Sequence, residues 1–139
     1  MSLMKVFDIS GSGMSAQSLR LTTTASNMSN ANVVSGSAET TYKPRYPLFS
    51  AVQSEASASL FSETPGVKVT EVVESSKEAL KRYQPNHPLA DKQGYVFLPD
   101  VNIVEEMTNM ISASRSYQMN AEVLNTTKQL MSKTLQLGQ

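Results

Sequence analysis

From Val101 to Leu137 the chain carries neither Gly nor Pro, and apolar or small residues step along it by four and three. Unbroken spacing of that kind specifies one long helix with a heptad stripe. The stripe runs Ile103, Met107, Met110, Ser114, Tyr117, Ala121, Leu124, Lys128, Met131 and Leu135, with Val104, Ile111, Leu130 and Leu137 widening it. Pro99 closes the preceding segment, Asp100 is the expected N-cap and Gly138 the expected stop. Asp100, Glu105 and Glu106 at the start, with Lys128 and Lys133 towards the end, match the helix dipole. Roughly 37 residues rising about 1.5 Å each make a rod of about 55 Å, far longer than a globule of this size needs.

A second proline-free stretch, from about Met4 to Ala31, repeats the pattern at Phe7, Gly11, Met14, Ser18, Leu21, Ala25 and Met28. Phe7, Met14, Leu21 and Met28 are the bulky members, and the small residues between them admit a second helix at close range. Gly11, Gly13 and the run Thr22-Thr23-Thr24 weaken this helix in isolation. Between the two ends the period changes. Val33 to Thr41 reads as a mobile Ser/Gly/Ala loop, and Tyr42 to Val52, with Pro44 and Pro47, as an edge strand. Ser54 to Thr64 reads as a polar loop, and Val67–Val72 and Tyr95–Leu98 as short strands, each opened by a glycine.

The expected class is α+β: long N- and C-terminal helices in a coiled-coil-like antiparallel pair around a small β-rich insert. The corresponding segments are residues 1–32, 33–99 and 100–139. One seam between two helices buries little, so neighbouring chains are expected to supply further surface. Phe7, Met14, Leu21, Met28, Ile103, Met107, Met110, Tyr117, Leu124, Met131 and Leu135 are therefore the candidate assembly-interface residues.

Charge and composition exclude several functions. Lys plus Arg equals 12 and Asp plus Glu equals 12, so no net field draws in nucleic acid. There is no Cys, which removes thiolate chemistry, and no apolar run reaches the roughly 18 residues that suggest a membrane span. The N-terminus lacks the basic-then-apolar pattern of a cleavable signal.

Motifs that resemble chemistry read better as structure. Gly11-Ser12-Gly13-Met14-Ser15-Ala16 fits the dinucleotide fingerprint, but no Asp or Glu lies between Asp8 and Glu39 to hold a ribose. His87 is the only histidine and stands between Pro85 and Pro88, where a turn residue is expected rather than a base. Met14, Met28, Met107, Met110 and Met131 fall on the stripes as packing residues, not as soft-metal ligands. Neither a catalytic group nor a cofactor, metal or small-molecule substrate is expected.

Ala25-Ser26-Asn27-Met28-Ser29-Asn30-Ala31-Asn32 resembles the N-terminal signature of bacterial flagellar rod and hook axial proteins, with Val33 standing where that signature carries threonine. Asn86-His87-Pro88-Leu89-Ala90-Asp91, Gly94-Tyr95-Val96, Pro99-Asp100-Val101, Ala113-Ser114-Arg115-Ser116-Tyr117-Gln118 and Lys133 to Gln139 are similar to the short proximal-rod members of that family. The resemblance spans the chain from end to end. It implies a non-enzymatic subunit, exported uncleaved through the flagellar type III apparatus, that polymerises into a torque-bearing periplasmic shaft. Other rod subunits, the rod base and further copies of the chain are the implied partners. Asn27, Asn30 and Asn120 are the motif asparagines, with hydrogen bonding across helix junctions the implied role. A longer distal-rod or hook subunit, or a coiled-coil adaptor or secreted effector, is the alternative.

Overall fold

The computed structural model describes residues 3–52 and 65–137. The polar segment Ser54 to Thr64 and the stop at Gly138 lie outside the described residues. In chain order the elements are α1 (Leu3–Asn30), β1 (Arg45–Val52), β2 (Gly66–Glu74), β3 (Leu80–Tyr83), β4 (Tyr95–Leu98) and α2 (Ile103–Leu137). The two helices have 28 and 35 residues, about 42 and about 52 Å of rod.

The helices pack antiparallel. Asn27 meets Glu106, Arg20 meets Asn109, and Gly13 faces Asn120, so positions rise on one helix as they fall on the other. The residues at this contact differ from the bulky heptads. Ser10, Thr24 and Asn27 of α1 are buried with Glu106, Ala113 and Thr127 of α2, one position before the expected stripe on both helices. Small and short polar side chains let the backbones approach, and a Cβ built on Gly13 would stand 3.0 Å from Asn120 Nδ2. α2 begins at Asn102 rather than Asp100: the Asn102 Oδ1 accepts from the amides of Val104 at 3.1 Å and Glu105 at 3.4 Å. Asp100 instead pairs with Lys77 at 3.3 Å.

β1 and β2 form an antiparallel hairpin, Arg45 opposite Glu74 and Val52 opposite Gly66, with a bulge between Leu48 and Phe49. Pro44 and Pro47 suit a strand whose one edge is unpaired. The hairpin lies along α1, where Ser12 Oγ accepts from the Val67 amide at 3.1 Å. β3 and β4 form a second antiparallel pair, Leu80 opposite Leu98 and Tyr83 opposite Tyr95. β3 had no clear signal in the sequence because its four residues, Leu-Lys-Arg-Tyr, are all exposed and show no clean alternation.

The segment from Ala31 to Pro44 is organised, in contrast to the mobile loop expected from its composition. Ser35 and Phe97 exchange both backbone hydrogen bonds, at 2.8 and 2.9 Å, and Thr41 is buried with its hydroxyl on the Ser37 carbonyl. His87 caps a turn as expected, its Nδ1 accepting from the Leu89 amide at 3.1 Å. Asp91 shapes the next turn by accepting from the amides of Gln93 and Tyr95, both at 2.8 Å.

Gly94, at φ +83°, closes that turn, and a Cβ there would meet Tyr83 Cε2 at 2.9 Å. Gly94→Ala is expected to cost about 1 to 2 kcal/mol from the left-handed backbone alone. Urea denaturation measures this, and loss of the edge-to-face Tyr83–Tyr95 signal in near-ultraviolet dichroism locates it. An unchanged midpoint would contradict the strained turn.

Candidate assembly interface

α1 presents three faces, read from three consecutive residues of one heptad. Ser12 and, two heptads on, Ser26 face the hairpin side: Ser12 binds Val67, and Ser26 Oγ lies 3.1 Å from the Tyr42 hydroxyl. Gly13, Arg20 and Asn27 face α2. Met14, Leu21 and Met28 therefore point to a third side, about 100° beyond the seam. On α2 the residues that follow the seam positions are Met107, Ser114, Ala121 and Lys128. Because both helices are right-handed and antiparallel, these turn to the same side as Met14, Leu21 and Met28.

The outcome is a two-helix layer with the hairpin on one face and an apolar stripe on the other. On that stripe Met107 is 49% exposed, Ile103 is also exposed, and Met14, Leu21 and Met28 are half-buried, whereas Phe7, 43% exposed, stands beside the hairpin residues Val52, Gly66 and Val67. Met110, Tyr117, Leu124 and Met131 are half-buried along the edge of the seam, and Leu135 is 73% exposed. Among the described residues the buried apolar side chains are Ala16, Ala31, Val96, Leu98 and Ala113, a small set for a chain of 139 residues. Among the described residues the hairpin strands pack along α1, and β1 reaches α2 through Tyr46 on Glu106.

The motif asparagines divide by role. Asn27, fully buried, sits at the junction of α1, α2 and β1. Its Oδ1 accepts from the Arg45 amide and the Tyr42 hydroxyl, each at 2.9 Å, and its Nδ2 donates to the Arg45 carbonyl at 3.0 Å and to Glu106 Oε2 at 3.3 Å. The side chain thus pairs both backbone groups of Arg45, as a neighbouring strand would. Asn30 Nδ2 donates within its own helix to the Ser26 carbonyl at 2.8 Å. Asn120 packs onto Gly13.

Glu106, 2% exposed, was read from sequence as a dipole residue, and its structural partners were missed. Its place seven residues before Ala113, on the small-residue repeat, is the signal that was available. Tyr46 hydrogen-bonds to Glu106, and burial followed by the Glu106 charge pushes its phenol up to about 12.

Gly11 and Gly13 lie inside α1 rather than at a strand-to-helix turn, so the dinucleotide reading has no structural basis. Among the described residues no group of three or more His, Asp or Glu gathers to hold a metal, and no helix is long and apolar enough to cross a membrane.

The flagellar basal-body rod protein FlgC of Yersinia enterocolitica is 49% identical over 139 residues, covering the whole of both chains. The chain belongs to this family of flagellar basal-body rod proteins. The FlgC proteins of Escherichia coli O157:H7 and Salmonella typhimurium strain LT2 are each 48% identical, again over the full length of both. A family model described as flagella basal body rod protein matches residues 7–36, and one described as flagellar basal body rod FlgEFG protein C-terminal matches residues 92–137. These spans take in most of α1 and α2. The rod subunit is thus a structural component of the flagellar basal body, of the proximal-rod FlgC type.

The raised pKa of Tyr46 makes folding stability depend on pH. An unfolded tyrosine ionises near 10, so the folded chain holds the Tyr46 proton more tightly. That stability is complete below about pH 10 and is lost as the pH rises towards about 12. In a 295 nm phenolate titration Tyr46→Phe should remove the most alkaline transition. Its persistence would place the shift on another tyrosine.

Proposed function

We propose that the subunit polymerises through residues 1–32 and 100–139, with the common apolar face of α1 and α2 as the principal contact and 33–99 as an insert outside it. The observation that carries this reading is the inversion of packing: small and polar residues fill the close contact of the helices, while Ile103 and Met107 stay exposed on one side. Leaving such a face in water is unfavourable by about 25 cal/mol per Å² of apolar surface, which a neighbouring subunit recovers.

The occupants are other rod subunits, the rod base and further copies of this chain. Contacts of this heterologous kind do not close, so they generate a helical tube. The resulting shaft transmits torque across the periplasm and needs neither catalysis nor cofactor. Export proceeds through the flagellar type III apparatus without a cleaved signal peptide. Support comes from the full-length similarity to rod proteins and from the two helix-matching family models.

Met107→Asp tests the face without touching the seam. Helix content of the purified chain should be unchanged while swimming of the complemented deletion strain in soft agar is lost. Leu124→Asp, at the seam edge, should lower both. Thr126→Asp, exposed on α2 and turned away from the apolar face, should leave both intact. Normal swimming of the Met107→Asp strain would remove this face from the assembly.

A further inference from the structure

Heptad seams built from small residues fit their partners in more than one register, because a shift of seven exchanges one small residue for another. Here such a shift would set Gly13 against Ala113 or Thr127 in place of Asn120.

Two side chains do distinguish the registers. Asn27 and Glu106, with Val96, are the largest fully buried side chains among the described residues. Asn27 is held to α1's own hairpin through both backbone groups of Arg45, so it cannot travel with α2. Glu106 belongs to α2, and only in the observed register does its carboxylate meet the Asn27 amide and the Tyr46 hydroxyl. A shift in one direction takes it past the end of α1. The other carries it towards Arg20, whose guanidinium donates to Asn109 at 3.0 Å in the observed pairing. Either shift leaves the fully buried Asn27 amide short of one acceptor, and a single buried polar contact is a known means of fixing helix register.

We propose that the Asn27–Glu106 contact is the register selector of the helix pair: it aligns α2 on α1 so that Gly13 meets Asn120. This contact is present in the aligned pairing and lost in the heptad-slipped ones.

The chain contains no Cys, so introduced pairs report register directly. Three full-length forms are compared under mild oxidation: Gly13→Cys with Asn120→Cys, with Ala113→Cys, and with Thr127→Cys. A heptad slip moves a pair beyond the roughly 7 Å Cα separation a disulfide allows. With Glu106 intact, the Gly13–Asn120 pair should close within one chain at least about tenfold faster than either slipped pair. Glu106→Leu should raise the slipped products to the same order as the aligned one. Glu106→Gln keeps a carbonyl oxygen for the Asn27 amide and should restore the original pattern, which a merely space-filling role would not require. Comparable closure of slipped pairs with Glu106 intact overturns the proposal, whatever the variants do. So does a folded Glu106→Leu chain that still closes only the aligned pair.

Discussion

Two helix backbones come close only where neither carries bulk, and the rest of this architecture follows from that approach. Ser10, Gly13 and Thr24 meet Ala113, Asn120 and Thr127 at the close contact, with Met110, Tyr117 and Leu124 half-buried at its edge. The bulky residues of each heptad are displaced to the flanks, so close pairing within the chain and an apolar exterior are one choice. Extra hydrophobic content would not stabilise the pair. It would push the helices apart.

Polar groups at such a contact must be satisfied, because water is excluded from them. Asn27 meets the requirement by spending its carbonyl and amide on three elements at once, and Thr127 does so by donating to the Val123 carbonyl of its own helix at 2.7 Å. The hairpin is therefore no appendage. Its first residue, Arg45, completes the hydrogen bonding of the helix junction, and removing the strand would leave a buried amide without its partners.

Element type was largely legible in the sequence. Absence of Gly and Pro over Val101 to Leu137 defines α2, and Gly66 and Gly94 mark the starts of β2 and β4. The choice of seam was not, because heptad spacing reports where apolar residues recur and not which flank a partner occupies. Two adjacent repeats coexist here, a bulky one and a small one, and their relation becomes visible only when the hairpin's position on α1 is known. Ordering of Ala31 to Pro44 was hidden for another reason: its stabilising partner, Phe97, lies about sixty positions downstream of Ser35. Of the motif asparagines, Asn27 bridges elements, whereas Asn30 binds its own helix.

The hairpin is fastened to α1 at Ser12 and again at Asn27, points roughly 22 Å apart along the helix. A strip riveted at one point can swivel, but one riveted at two acts as a splint. Bending or twisting α1 between those points must also shear the β1–β2 ladder, so flexural stiffness is built in below the level of any contact with a neighbour.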